Sequence, residues 1–158
     1  MTLFKNNSSD VVTYVNFYNT NSLTNVSYMA SSINNMSSTY QSCYNLTGSP
    51  VCGSNVTNMG YTYYDCPSLD SNGYFYSNKI TNIRSCFEGK NNSKMLNLYV
   101  PANSTTLTTC LYSKTSSLVG NTITWTNDTT NNRYYNTTYN IYIYPVDNVE
   151  QARQANGD

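Results

Sequence analysis

The 158 residues contain no histidine. That removes the Ser-His-Asp and Cys-His catalytic arrangements and every His-ligated metal site. No CxxC pair occurs either, so zinc ribbons, zinc fingers and thioredoxin-like redox motifs have no residues to build on. Charge is scarce: eight Lys+Arg face eight Asp+Glu, 10% of the chain, with formal net charge zero. Nucleic-acid binding needs a basic stripe to neutralise phosphates, and the few cations here are scattered. There is no Gly-rich phosphate loop, and no run of 18 apolar residues to span a membrane. The opening MTLFKNNSSD lacks the apolar core of a signal peptide. Export therefore implies either a leader removed or replaced before Met1, or exit inside a particle.

Tyrosine and small polar side chains dominate what is present. Seventeen tyrosines sit among a hydrophobic fraction of 39%, while Asn, Ser and Thr number 26, 20 and 21. With so little charge, solubility falls to amides and hydroxyls, and so many phenols in a core need hydroxyl partners or a place at its rim. Disorder is excluded because aromatic and β-branched residues fall in alternating blocks between turn clusters. A chain of this length buries roughly two-thirds of its unfolded surface as one domain. We place that domain at 1–146 and a polar tail, a short helix or a linker at 147–158, where the aromatics stop.

Period-two alternation is clearest at 134–144, YYNTTYNIYIY, ending at Pro145. Tyr135, Thr137, Tyr139, Ile141 and Ile143 share a core face, and Asn136 and its even-numbered neighbours point to solvent. Residues 10–18 alternate with both faces apolar, as in a strand covered on both sides or inserted into another subunit. Val26, Met29, Ile33 and Met36 have helical spacing in a segment otherwise rich in Ser and Asn. Further strands are expected at 61–66, 74–80, 95–100, 106–112 and 119–126. Asp70-Ser71-Asn72-Gly73 reads as the turn of a hairpin, and the Asn/Thr run at 127–132 as another, bringing Trp125 near Tyr135. The fold class expected is all-β, an antiparallel sandwich or jelly-roll-like barrel with long Asn/Ser/Thr-rich loops and at most one short helix.

Cys43, Cys52, Cys66, Cys86 and Cys110 are an odd five. In an oxidising compartment they imply two disulfides and one leftover thiol, with Cys43–Cys52 and Cys66–Cys86 the attractive pairs and Cys110 buried or linking protomers. Five buried reduced thiols are the alternative. N-glycosylation sequons begin at Asn6, Asn7, Asn25, Asn35, Asn45, Asn55, Asn91, Asn103, Asn127 and Asn136. Composition alone generates roughly seven, so placement in turns carries more weight than number.

Asp65, Asp70, Glu88 and Asp128 are the acids a two-carboxylate glycosidase would use, but each lies beside a turn residue that explains it without catalysis. Calcium at Asp65, Asp70 and Asn72 lacks enough acidic ligands. The expectation is a non-enzyme without cofactor or metal: an extracellular N-glycosylated structural protein of a filament, coat or virion surface, with strand 10–18 or 134–144 lent to a neighbour. The alternative is an adhesin or receptor-binding domain using Tyr/Asn/Ser-rich loops. Expected partners are further copies or other surface proteins, covalent N-glycans, and host or cell-surface glycans.

Overall fold

The computed structural model describes residues 13–25, 31–115 and 117–158. Its N-terminal two-thirds is a coil whose successive rungs hydrogen-bond in parallel. Isolated bridges join Tyr14 to Asn35, Asn35 to Asn58 and Asn58 to Asn82. From there the ladder continues: Ser38, Tyr40 and Ser42 donate to the carbonyls of Gly60, Thr62 and Tyr64 at 2.9, 2.9 and 2.8 Å. Tyr61, Tyr63 and Asp65 repeat the pattern onto Arg84, Cys86 and Glu88 at 2.8, 3.0 and 2.7 Å. These contacts between neighbouring rungs span 21 to 24 residues, and equivalent positions such as Asn35, Asn58 and Asn82 recur every 23 or 24, a solenoid period.

The same residue types return at the same rung positions. Asn35-Met36, Asn58-Met59 and Asn82-Ile83 correspond, as do Thr39-Tyr40, Thr62-Tyr63 and Cys86-Phe87. Each ladder asparagine turns its own backbone, accepting through Oδ1 from the amide two residues on at Ser37, Gly60 or Arg84, at 2.9, 3.0 and 3.1 Å. Two corners per rung adopt positive φ. Ser38, Tyr61 and Ser85 form one series, at 56°, 57° and 54°; Asn19, Ser42, Asp65 and Gly89 form the other, at 56°, 60°, 56° and 80°. A side chain pays a steric penalty there, so the recurrence shows that stacking over-determines the bend. At Gly89 the corner also lacks room: a Cβ would sit 3.0 Å from the Asp65 Cα.

Regular elements lie on the opposite side of the coil and in the C-terminal third. In chain order they are β1 (Val51–Cys52), β2 (Asn72–Phe75), β3 (Leu96–Pro101), α1 (Thr105–Tyr112), β4 (Thr126–Asp128), β5 (Arg133–Asn136), β6 (Ile141–Val146) and α2 (Val149–Ala155). They build one six-stranded sheet in the order β1-β2-β3-β6-β5-β4. The first four of that order pair in parallel; β6-β5 and β5-β4 are antiparallel. Leu96, Leu98, Val100, Ile141 and Ile143 point inward and are buried, closing a core with Met36, Met59, Ile83 and the ring column described below. Helix α2, capped by Asn148, packs on the outer face over Tyr74 and Val51 through Val149.

The chain is thus mostly β, but the expected antiparallel arrangement is corrected to a mixed sheet with two short helices. Passing from β1 to β2 and from β2 to β3 takes a whole rung, and from β3 to β6 the stretch that holds α1, β4 and β5, the long crossovers that parallel pairing requires. A sandwich needs a second packed sheet, and the described residues form one. The stretch 134–144 is not one strand but the hairpin β5–β6. Its turn inverts the phase, pairing Tyr134 with Ile143 and Tyr135 with Tyr142, so Tyr135 leaves the core face while Ile141 and Ile143 keep it. Residues 106–112 are helix α1 rather than strand. Ser104 caps it by accepting from the Leu107 amide, and Thr106 and Thr109 give their hydroxyls to the carbonyls of Ser77 and Ile80, so tertiary contacts override the β-propensity of threonine.

The hairpin expected across Asp70–Gly73 is absent as well: β2 pairs in parallel with β1 and β3, and 61–66 forms turns. In the first rung Val15 is buried and Phe17 packs on the core, with a single bridge in place of the strand expected at 10–18. Its first three residues, like Val26 and Met29 of the expected helix, lie outside the described residues; Ile33 and Met36 belong to a rung. No described helix is long and apolar enough to cross a membrane.

Candidate functional site

A column of aromatic rings fixes the rungs from inside. Phe17 stacks on Tyr40 at 5.9 Å, Tyr40 on Tyr63 at 5.3 Å, and Tyr63 on Phe87 at 5.6 Å; Phe75 of β2 closes it at 6.1 Å. The Tyr63 hydroxyl ties the column to β1 by donating to the Val51 carbonyl at 2.7 Å and accepting from the Val51 amide at 2.9 Å. Beside the rings runs a second file: the Cys43 and Cys66 thiols donate to the carbonyls of Phe17 and Tyr40, one rung back, at 3.1 and 3.0 Å. Lys90 takes the corresponding place in the next rung, and its half-buried ammonium donates to the Asn91 and Lys94 carbonyls at 3.1 and 2.7 Å. Burial lowers its pKa to about 8.

With the interior set, the residues at and beside the positive-φ corners are held in files. One file runs Tyr18, Gln41, Tyr64, Glu88; two others hold Ser38, Tyr61 and Ser85, and Ser37, Gly60 and Arg84, of which Gly60 and Ser85 are buried and the rest are exposed or half-buried. Tyr18 is 56% exposed and Tyr14 43% exposed, while Tyr61 and Tyr64 are half-buried. Tyr61 and Tyr64 meet at 5.8 Å with their planes inclined by 56°, and Arg84 reaches back over the Tyr61 ring at 5.9 Å. Tyr14 lies across to the second rung, donating from its hydroxyl to the Ser37 carbonyl at 3.0 Å. These files make a tyrosine-rich face with amide, hydroxyl and a few opposed charges between the rings.

The C-terminal third has its own aromatic and ionic cluster. Outside the sheet Tyr74 stacks on Tyr99 at 5.4 Å and Tyr99 on Tyr144 at 5.0 Å. Arg133 lies over Tyr142 at 4.9 Å and Tyr135 at 5.6 Å, donates to the Tyr144 hydroxyl at 3.1 Å, and pairs with Asp128 at 2.8 Å. Hydrogen bonds from Asn131 and Arg133 hold the Asp128 carboxyl below its ordinary range. On α2, Arg153 chelates Glu150, which also accepts from the Tyr76 hydroxyl at 2.6 Å; those bonds bring the Glu150 pKa down to about 2. Tyr74 donates to Asp158, and Asn156 donates to the Tyr74 hydroxyl at 3.2 Å. These contacts fasten the hairpin and α2 to the sheet.

The residues singled out in the sequence distribute as follows. Asn25, Asn45, Asn55, Asn91, Asn103 and Asn127 are exposed; Asn35 and Asn136 are half-buried, and Asn6 and Asn7 lie outside the described residues. All five cysteines, Cys43, Cys52, Cys66, Cys86 and Cys110, are buried and free. The expected bridges Cys43–Cys52 and Cys66–Cys86 are not formed, because Cys43 and Cys66 share a file and spend their thiols on carbonyls. Burial pushes Cys52 and Cys66 up to about 12, and Cys86 and Cys110 upward for the same reason, so these are packed, unreactive thiols. Cys110 is only 4% exposed and presents nothing to a second protomer.

Among the acids, Asp65 and Glu88 occupy adjoining files, joined through the Asp65 amide and the Glu88 carbonyl at 2.7 Å. Asp70 bonds the Ser71 amide, and Asp128 is committed to Arg133. Asn72 bonds Asp158 and Asn97 rather than Asp65 or Asp70. Sequence reasoning missed the tyrosine face and the Arg133 cluster altogether. The 23-residue recurrence of Asn-Met followed by Thr-Tyr was the signal that would have found the first. No known protein family, curated protein or solved structure matches the chain.

Proposed function

We propose that this chain is an extracellular, N-glycosylated, non-enzymatic surface protein that acts by contact. The observation that carries the reading is the disposition of the coil. Rigid stacked rungs turn their apolar residues and cysteines inward and present neutral amides, hydroxyls and tyrosines outward, with six of the sequon asparagines exposed. Such a surface stays soluble without charge, carries glycans at turns, and offers preformed contact area.

Within that reading the structure favours recognition over lending a strand. β6, the strand at 141–146, is paired on both edges, by β3 and by β5, and has no free edge to give a neighbour. The tyrosine face supplies the specific observation for an adhesin or receptor-binding role, since tyrosine gives large contact area at small entropic cost. A structural subunit of a filament, coat or virion surface is the second reading. It draws on the first rung, where the Phe17 ring is stacked on one side only among the described residues.

Intact mass of the native protein before and after deglycosylation tests the shared premise. Several glycans are expected, and an unmodified mass contradicts it. Mass photometry then divides the two roles: a strict monomer removes the subunit reading.

A further inference from the structure

Resting on the surface-recognition reading, we propose that the face built around Tyr64, with Tyr18, Gln41, Tyr61 and Arg84, is a binding site for neutral oligosaccharides. Two independent features of the coil converge on it. The first is chemistry. Tyr18 and Tyr64 stand in one file with the Gln41 amide between them, rungs being roughly 4.8 Å apart, and the inclined Tyr61 and Tyr64 rings present π-faces in two directions. Aromatic faces take the C–H surface of a pyranose, and phenol, amide and guanidinium groups beside them take its hydroxyls.

The second feature is what the face lacks. The exposed sequon asparagines Asn25, Asn45, Asn55 and Asn91 all fall outside 13–20, 36–43, 59–66 and 83–90, the segments that form this face. Glycans carried by the protein clothe the other turns and leave these tyrosines bare.

Charge settles the class of ligand. The segments that form this face carry Arg84 and Lys90 against Asp65 and Glu88, a net charge of zero, so neither a polyanion nor a strongly cationic partner is matched. Protein hot spots are buried anchors sealed from water, whereas here Tyr18 is exposed, Tyr61 and Tyr64 are only half-buried, and Gln41 lies between Tyr18 and Tyr64 in their file. The backbone beneath is already fixed by its positive-φ corners and the ring column, so little conformational freedom is lost on binding.

The test uses the full chain on an array of immobilised neutral hexose and N-acetylhexosamine oligosaccharides, with Tyr64→Ala, Tyr64→Phe and Tyr112→Ala. Tyr112 is 70% exposed at the end of α1, outside the segments that form this face. The expected result is retention of at least one oligosaccharide by the natural chain and by Tyr112→Ala, weakened roughly tenfold by Tyr64→Ala and largely kept by Tyr64→Phe, because the ring does the stacking. Unchanged unfolding midpoints confirm that each variant folds. No sugar retained by the folded protein, or equal retention by Tyr64→Ala, overturns the proposal. So does a concentration-dependent dimer lost in Tyr64→Ala, which assigns the face to a second copy. The glycan mass measurement is unaffected by any of these outcomes, so failure of the site and failure of the surface reading are told apart.

Discussion

The rungs and the C-terminal third are stabilised by different means. In the rungs one set of interactions is repeated: a ring on a ring, an asparagine turning its own backbone, a thiol or hydroxyl on the carbonyl one rung back. In the C-terminal third each fastening is unique, and both ion pairs among the described residues, Arg133–Asp128 and Arg153–Glu150, are found there. Repetition lets each rung template the next without charge. An end has no next rung, so the sheet is closed by an antiparallel hairpin whose outermost strand, β4, is short, polar and carries Asp128, as protected edges do. The expected consequence is a coil indifferent to acid and salt, with Lys90 its one group drawn toward neutral pH, joined to a cap that responds to acid and salt.

The largest effect should come from the column. Tyr63→Ala removes a fully enclosed ring between Tyr40 and Phe87 and is expected to cost about 3–5 kcal/mol in denaturant unfolding. Tyr63→Phe keeps the ring but leaves Val51 without its hydroxyl partner, at about 1–3 kcal/mol. If Tyr63→Ala costs no more than Tyr63→Phe, the ring column is not what holds the rungs. Asn58→Ala removes the acceptor for the Gly60 amide and should cost about 1 kcal/mol.

Arg133→Ala should leave the global midpoint nearly unchanged while accelerating amide exchange in β4 and β5, with rung amides untouched; uniform acceleration would erase the distinction between the two regions. The smallest effect is that of acid. Glu150 is held at about 2, below its ordinary 4.5, so its contacts with Arg153 and Tyr76 contribute fully above that ordinary value and are lost as pH falls toward 2. Exchange of α2 amides should rise across that window before rung amides respond. Simultaneous opening would show that cap and coil are one cooperative unit.

Parity was legible wherever a strand has one buried face. Ile141 and Ile143 were assigned to a core face and are inward, and the strand expected at 95–100 is β3, whose Leu96, Leu98 and Val100 are buried. The phase change at Tyr135 was not legible, because the turn between β5 and β6 is made of Thr137, Thr138, Tyr139 and Asn140, residues that also suit a strand. The coil was not legible in local alternation, since its regularity lies at an offset of about two dozen residues. Its corners gave little help: most positive-φ positions are filled by Ser, Tyr, Asp and Asn, with Gly89 the one glycine of the series. The contact face was invisible for the same reason. Tyr18, Gln41 and Tyr64 come together only when the rungs are stacked.

Site-resolved glycopeptide mass spectrometry of the native protein tests the account most directly. We expect glycans at exposed turn sites such as Asn45, Asn55 and Asn91, and none at half-buried Asn35, whose side chain turns the rung beside the tyrosine face. An unmodified chain, or occupancy concentrated at Asn35, would contradict it.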